Sequence, residues 1–209
     1  MLPTPSLNTS QTTSRSHCYR AALRLGAAWN YDRAHSMQVT RLSRRLFDAL
    51  QPLHRLGHAD RFILECAALL HDIGWAHGRR RHHKNSRDMI LKDKSIPLAA
   101  RERLLIALIA RYHRRSEPTA SHRHYRELER HDRRLVRQLS ALLRMADGLD
   151  NEHRLAIRNL AAEITPHEIT LHCGGNFDSP GGLRSARAKA LLLEKVFERR
   201  VVFTFPTKH

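Results

Sequence analysis

The sequence predicts a mainly helical protein that carries a small α+β unit at its C-terminus. Apolar residues recur at helical spacing through 17–150, short alternating runs typical of strands follow residue 151, and one amphipathic helix lies between two of those runs. A chain of 209 residues is long enough to bury a core. We therefore expect a helical domain at 17–150, with an α+β appendage at 151–209 packed on it.

Residues 1–16 are rich in Ser, Thr and Pro and poor in large apolar residues, which predicts a disordered or loosely attached arm. The predicted helices run from Cys18 to Ala28, Arg33 to Leu50, Phe62 to Gly74, Pro97 to Tyr112, Asp132 to Leu149 and Leu183 to Arg199. Asp32 is a good N-cap for the second helix; Gly57 and Asp60 mark the start of the third, and Gly74 ends it. The predicted strands are 160–165, 168–173 and 201–205, and residues 117–130 form a surface loop or short helix.

The net charge of +17 predicts attraction to polyanions, among them nucleic acid, polyphosphate, nucleotides or an anionic membrane surface. Only 6% of residues are aromatic, so a stacking platform for single-stranded nucleic acid is not evident. The cysteines, Cys18, Cys66 and Cys173, are odd in number and far apart, which argues against a disulfide framework and a thiolate zinc site. The N-terminal region has no apolar run of signal-peptide or membrane-spanning length, so we expect a cytoplasmic protein.

The apolar helix FILECAALLHDIG, residues 62–74, ends in adjacent His71 and Asp72. A buried carboxylate must be paired or bound to a metal ion, and these two neighbours can bind one cation together. The simpler interpretation is a histidine at the negative end of the helix dipole beside a capping aspartate. For this dipeptide alone, the simpler interpretation is favoured.

Two other helices favour the metal site. His35 lies on the same stripe as Val39, Leu42 and Leu46, and Asp147 lies on the apolar face of the helix that ends at Leu149. Three helices that each direct a metal-binding side chain inward are better explained by a shared ion, whose charge offsets the burial of two carboxylates.

His35, His71, Asp72 and Asp147, in this order on successive helices, resemble the ligand set of the HD superfamily of metal-dependent phosphohydrolases. The segments AHSMQVTRLSRRLFDAL, AALLHDIG, HHKNSRDMIL and ALIARYHRR are similar to the C-terminal HD domain of the exopolyphosphatase and guanosine pentaphosphate phosphatase family, from about Arg20 onward. In that family an N-terminal actin-like ATPase domain carries polyphosphate hydrolysis, and these 209 residues hold no segment long enough for it. The resemblance therefore implies an HD-domain helical bundle and only the chemistry of that domain.

The resemblance also implies further site residues. His83, in the motif His83-Lys84-Asn85-Ser86, matches a histidine that binds a second ion in related proteins, and His82 is the neighbouring alternative. It places His113 at or beside the metal centre, so that Asp72, His83 and His113 are the catalytic candidates. The basic stretch 78–87 is either a solvated loop or a phosphate-binding segment that starts behind the His-Asp pair. On the second interpretation the substrate phosphate is bound by Arg79, Arg80, Lys84, Arg111 and Arg114.

Histidine and carboxylate ligands favour Mn, Fe, Co, Ni or Zn over Mg, with one or two ions per site. We predict a metal-dependent phosphohydrolase that acts on a nucleotide or another phosphate-rich small molecule. The alternative is a non-catalytic module that binds polyphosphate or another polyanion through its basic surface. Nucleic acid is the least favoured partner, no membrane partner is expected, and a homodimer is an allowed assembly.

Overall fold

The computed structural model describes residues 9–177 and 179–205, with side chains from residue 15 onward. In this part of the chain the helices are α1 (Thr9–Ala28), α2 (Arg33–Ala49), α3 (Gln51–His54), α4 (His58–Leu70), α5 (His82–Lys92), α6 (Ala100–Arg111), α7 (Arg123–Arg126), α8 (Arg130–Leu149) and α9 (Pro180–Phe197). The strands are β1 (Ile157–Ile164), β2 (Glu168–Gly175) and β3 (Arg200–Thr204), and two 3-10 turns, Ile73–His77 and Arg79–Arg81, join α4 to α5. The predicted fold class, mainly helical with a small sheet and a C-terminal helix, is confirmed.

Helix α8 is the centre of the bundle, where it packs against α2, α4, α6 and α9. Every residue of 138–150 is buried, so the C-terminal half of this helix has no solvent-exposed face. A helix surrounded in this way must satisfy its polar side chains inside the protein, because water does not reach them. Asp147 lies in that half, and the elements that surround α8 therefore determine its partners.

The C-terminal unit is a three-stranded sheet in the order β1-β2-β3. Strands β1 and β2 are antiparallel, with Ile164 opposite Ile169, and β3 runs parallel to β2, to which α9 connects it. Helix α9 begins with Pro180 in its first turn, where the Ser179 hydroxyl accepts a hydrogen bond from the Gly182 amide at 3.2 Å. It packs along α8 and so connects the sheet to the bundle.

The N-terminal boundary of the helical region differs from the prediction. Helix α1 begins at Thr9, nine residues before the predicted start at Cys18, so residues 9–16 of the predicted disordered arm are helical. The remaining residues of that arm, 1–8, lie outside the described part of the chain.

Helix α6 begins at Ala100 rather than at Pro97, because the Glu102 carboxylate accepts a hydrogen bond from the Ala99 amide at 3.1 Å and so fixes the first turn there.

The predicted caps of α2 and α4 are confirmed: the Asp32 carboxylate accepts from the His35 amide at 3.0 Å, and Asp60 accepts from the amide of Gly57 at 3.0 Å.

The basic stretch 78–87 divides into two parts: residues 78–81 are exposed and include the 3-10 turn Arg79–Arg81, whereas residues 82–87 form the start of α5. Its inward stripe consists of His82, His83, Ser86 and Ile90, which are all buried, and a search for apolar periodicity misses a stripe with only one apolar member. Gly74 does not end α4, which stops at Leu70. Gly74 instead lets α5 approach closely, since a Cβ there would lie 2.2 Å from the His82 carbonyl oxygen and 2.4 Å from the Ser86 amide nitrogen.

Among the described residues, no helix combines the length and the apolar character that crossing a membrane requires.

Candidate metal centre

The four residues that resemble the HD ligand set, His35, His71, Asp72 and Asp147, lie together at the centre of the bundle. His35 Nε2 lies 3.6 Å from Asp147 Oδ1 and 3.9 Å from Asp72 Oδ2. His71 Nε2 lies 3.5 Å from Asp72 Oδ2 and 3.9 Å from Asp147 Oδ1. Donor atoms that share one first-row ion at roughly 2.0 to 2.2 Å lie about 2.8 to 3.6 Å from one another, depending on the coordination geometry. The observed separations come within a few tenths of an ångström of that spacing, so these residues fit a divalent ion.

Asp72 also faces a second pair of histidines with its other carboxylate oxygen. Asp72 Oδ1 lies 3.1 Å from His82 Nε2 and 3.5 Å from His113 Nε2, and the two imidazole nitrogens are 3.2 Å apart. Asp72 is therefore positioned between two sets of donors, one on each carboxylate oxygen. We refer to His35, His71, Asp72, His82, His113 and Asp147 as the His/Asp cluster.

The second nitrogen of each histidine in the cluster is held by an acceptor. His71 and His113 each follow a helix C-terminus, and their Nδ1 atoms donate at 2.7 Å to the carbonyl oxygens of Ala68 and Ala110 in the last turn. Those carbonyls have no partner within the helix, so a histidine placed just beyond the end satisfies them. His82 Nδ1 donates in the same way to a carbonyl three residues earlier, at 2.9 Å.

His35 Nδ1 donates at 2.8 Å to Oδ2 of Asp150, a carboxylate that is 3% exposed. A hydrogen on Nδ1 leaves Nε2 of a neutral ring with a free lone pair. When all four rings are neutral, the cluster thus directs four imidazole lone pairs and two carboxylates at one volume. Three buried atoms of the cluster have no hydrogen-bond partner among the described residues: His35 Nε2, His71 Nε2 and Asp72 Oδ1. Buried polar atoms without partners are expected at a site that binds a cation.

The pKa values follow from burial and from the two carboxylates. Burial lowers the pKa of His71 and places that of His113 well below its usual value, so the neutral form of both rings is favoured. Burial opposes charge on His35 too, but the carboxylates of Asp147 and Asp150 outweigh it and raise its pKa to about 9. Without an ion this ring therefore carries a hydrogen on Nε2 as well near neutral pH, and a metal ion would have to displace that hydrogen. Burial also opposes ionisation of Asp147, yet the Lys189 ammonium and the surrounding histidines hold its pKa well below the usual range.

A cavity of about 320 Å³ opens onto the cluster. Besides Asp72, His82, His113 and Asp147, it is lined by Trp75, Arg79, Arg114, Arg115, Asn151, His153 and Lys189. The cavity is therefore rich in cations beside two carboxylates, an arrangement that suits an anionic group held next to a metal ion.

The family model for the Ppx/GppA phosphatase, domain III, matches residues 19–174. The chain belongs to the Ppx/GppA phosphatase domain III family. A comparison with curated proteins gave no match. The family match covers the bundle from α1 through β2, so this domain III contains the whole His/Asp cluster, whereas α9 and β3 lie beyond the matched residues.

His82, not His83, faces Asp72 in this domain III. The two rings follow one another at the start of α5, and consecutive helical residues point about 100° apart, so only one of them can reach the carboxylate. His83 is buried, but Nδ1 of its ring has no hydrogen-bond partner in the described residues, and burial together with nearby His82 lowers its pKa to about 4. His82, the neighbouring alternative, therefore occupies the position beside Asp72 for which His83 was predicted.

The predicted phosphate-binding residues divide into two groups. Arg79 and Arg114 line the cavity, but Arg80, Lys84 and Arg111 are not among its lining residues. Arg80 is exposed on the 3-10 turn, and the Arg111 guanidinium lies 5.4 Å from the centre of the Tyr112 ring.

Three residues near the cluster were not predicted from the sequence. Asp150 lies three residues after Asp147, a spacing that places both carboxylates on neighbouring positions of a helix end, and this signal was available. His153 stacks on His35 with ring centroids 3.7 Å apart, and its Nδ1 donates at 2.7 Å to Asp32 Oδ2. Lys189 comes from α9, and no sequence pattern connects it to the cluster.

Proposed function

We propose that this protein is a metal-dependent phosphohydrolase of the HD type that acts on a nucleotide or another phosphate-rich small molecule. The observation that carries the proposal is the convergence of four imidazole Nε2 atoms on two buried carboxylates, with each Nδ1 already donating elsewhere. Such an arrangement is costly without a cation and favourable with one.

Histidine and carboxylate ligands favour Mn, Fe, Co, Ni or Zn over Mg. Because Asp72 faces His35 and His71 with one oxygen and His82 and His113 with the other, the cluster supports two ions as well as one. An ion held by these residues would polarise a phosphoryl oxygen and lower the pKa of a water molecule, so that hydroxide would be available near neutral pH.

The residues around the cluster are suited to bind the substrate. Arg79, Arg114 and Arg115 line the cavity and can neutralise phosphate oxygens, in bidentate fashion where a guanidinium faces two of them. Buried Arg144 of α8 donates from its guanidinium to the Arg115 carbonyl oxygen at 2.7 Å and thereby fixes the turn that carries these arginines.

Trp75 lines the cavity and contacts two of its other lining residues. Its ring stacks on His82 at a centroid distance of 5.1 Å, and the Arg79 guanidinium lies 5.4 Å from the ring centre. The indole therefore packs against an imidazole of the His/Asp cluster and a cation of the cavity.

The test combines metal analysis with a substrate screen. Protein purified without chelator is analysed for bound metals, and phosphate release is then measured over nucleotides, cyclic nucleotides and polyphosphate with added Mn. We expect bound transition metal and release from a nucleotide that EDTA abolishes. Protein that binds no divalent ion and releases no phosphate would refute the proposal.

A second groove favours the alternative function, a non-catalytic polyanion-binding module. It has a volume of about 750 Å³ and is lined by Arg130, Arg133, Arg134, Arg137, Lys195 and Arg199, together with one acidic residue, Glu198. Arg130, Arg134 and Arg137 are exposed on one face of α8 at positions i, i+4 and i+7, where they present a row of cations to solvent. We refer to these lining residues as the basic groove.

The two functions predict opposite responses to EDTA and salt. A polyanion that uses the basic groove neutralises many charges, so its affinity falls steeply with salt and does not depend on metal. For the phosphohydrolase, Arg114→Ala raises KM for a nucleotide with shallow salt dependence, whereas Arg134→Ala leaves turnover unchanged. Tight binding of fluorescent polyphosphate in EDTA, weakened by Arg134→Ala, without phosphate release from any substrate, would establish the module instead.

A further inference from the structure

Helix α9 places a lysine on the metal-facing aspartate. The Lys189 ammonium donates to Oδ2 of Asp147, and both side chains are largely buried, with 18% and 8% of their surfaces exposed. Lys189 also lines the 320 Å³ cavity beside Arg79, Arg114 and Arg115. One cation from the C-terminal unit therefore reaches the centre of the helical bundle.

The two oxygens of Asp147 face different partners. Oδ1 lies 3.6 Å from His35 Nε2 and 3.9 Å from His71 Nε2, while Oδ2 accepts from Lys189. Lys189 thus leaves the side of the carboxylate that faces the histidines open to an ion. An ammonium group has three N–H donors, and the bond to Asp147 uses one of them. The others are available to a ligand in the cavity.

Where α8 and α9 pack together, the side chain of Lys189 lies against Gly148 of α8. A Cβ at Gly148 would lie 3.0 Å from Lys189 Cβ and 3.1 Å from Lys189 Cδ, so the stem of the lysine passes directly over the glycine. A larger residue at position 148 would displace that stem. The absence of a side chain there allows the ammonium to lie next to Asp147.

We propose that Lys189 is a phosphate-binding residue of this site, supplied by the C-terminal unit, which takes a terminal phosphate group of the substrate while it keeps one oxygen of Asp147 directed at the histidines. The inference rests on the proposed function, because it assumes a phosphate substrate in the cavity. It goes beyond the family relation, since Lys189 lies outside the matched residues 19–174. The expected ligand class is a phosphate monoester or inorganic phosphate.

The test measures binding rather than turnover. Dissociation constants for inorganic phosphate and for Mn are determined by calorimetry on the full chain, for the wild type, Lys189→Gln and Lys189→Arg. Loss of one charge-assisted hydrogen bond predicts phosphate binding weaker by roughly ten- to a hundredfold in Lys189→Gln. Mn binding should be unchanged or tighter, because Asp147 loses a competing cation, and Lys189→Arg should keep most of the phosphate affinity.

Arg187→Met is the matched control. Arg187 lies on the same helix and is paired with the Glu194 carboxylate at 2.9 Å, but it does not line the cavity. This variant should bind phosphate like the wild type, and an equal loss in both variants would overturn the proposal. Weaker Mn binding with unchanged phosphate binding in Lys189→Gln would also overturn it, because Lys189 would then only orient Asp147. A wild-type protein that fails to bind phosphate overturns it too.

Failure of the proposed function can be distinguished from failure of the proposal for Lys189. If no substrate is hydrolysed but Lys189→Gln loses phosphate affinity as expected, the phosphohydrolase assignment is wrong and the role of Lys189 in phosphate binding stands.

Discussion

Asp150 accepts the Nδ1 hydrogen of His35, and replacing it with asparagine tests the proposed metal centre without removing a proposed ligand. Its Oδ2 accepts from His35 Nδ1 at 2.8 Å, and its Oδ1 accepts from the Leu155 amide at 2.8 Å. Asparagine has one acceptor oxygen and one donor NH₂ group. If the asparagine oxygen accepts from the Leu155 amide, its NH₂ group faces His35 Nδ1. The ring must then move its hydrogen from Nδ1 to Nε2, the atom directed at the cluster. If the asparagine oxygen accepts from His35 instead, its NH₂ group faces the Leu155 amide, and two N–H donors oppose each other there.

We expect Asp150→Asn to weaken Mn or Co binding by about 10- to 100-fold, as for other residues that orient a metal-binding histidine. The lost bond to a buried charged group should also lower the free energy of unfolding in EDTA by roughly 1.5 to 3 kcal/mol. Calorimetric metal titration and denaturant unfolding measure the two effects.

Asp48→Asn is the control for this variant. Asp48 is 57% exposed and pairs with Arg61 at 2.8 Å on the surface, so its replacement should cost under about 1 kcal/mol and leave metal affinity unchanged. If Asp150→Asn bound metal as tightly as the wild type, the tautomer argument and the role of His35 Nε2 as a ligand would both be wrong.

Three further predictions concern the cluster, the close helix approach and the pH dependence. Asp72→Ala should weaken metal binding by more than about 100-fold and leave the secondary structure intact, because one carboxylate serves both histidine sets. Gly74→Ala should destabilise the protein by about 3 kcal/mol or more, because its Cβ would lie 2.2 Å from a backbone oxygen of α5. His54 accepts from the Leu56 amide at 2.9 Å, and burial lowers its pKa, so the folded state holds the neutral ring. The neutral His54 ring therefore contributes fully to the stability of the folded state above about pH 6.5, the pKa of histidine in the unfolded chain. This contribution is lost as the pH falls below that value.

Each of these predictions has a direct check. Metal-dependent turnover that survives Asp72→Ala would exclude Asp72 from the reaction. Gly57→Ala serves as the control for Gly74→Ala, since a Cβ at Gly57 meets nothing within 4 Å, and equal destabilisation of the two variants would contradict the close-approach argument. Thermal unfolding between about pH 5 and 7.5 should show a flatter profile for His54→Gln than for the wild type, and parallel profiles would exclude His54 as a source of acid sensitivity.

The helices and the inward direction of His35 and Asp147 were predictable because they depend on local periodicity. His35 and Asp147 interrupt otherwise apolar stripes, and a polar residue at such a position points inward wherever the helix packs. The capping residues Asp32 and Asp60 act within one turn, so they too could be recognised from the sequence. Convergence of separate helices on one point followed from the cost of burying several unpaired polar groups.

The choice between His82 and His83 depended on a detail that periodicity does not contain. Which of two adjacent histidines faces Asp72 is determined by the rotation of α5 about its axis, and that rotation follows from the close approach of Gly74 to the first turn of α5. The sequence showed the glycine but gave no reason to connect it with a helix that begins eight residues later. The basic residues were ambiguous for a similar reason, because side-chain direction decides whether a cation lines the cavity or faces solvent.

Asp147 connects the helical bundle to the C-terminal unit through a single carboxylate. In the buried half of α8 an ionised side chain costs several kcal/mol unless opposite charge is nearby. Oδ1 of this carboxylate faces His35 of α2 and His71 at the end of α4, and Oδ2 accepts a hydrogen bond from Lys189 of α9. The packing of α9 on α8 therefore does more than cover apolar surface, because it supplies a counter-charge that the bundle requires when no ion is bound. A cation at the cluster would relieve the same cost from the opposite side, so the proposed metal binding and the docking of α9 would stabilise one shared group.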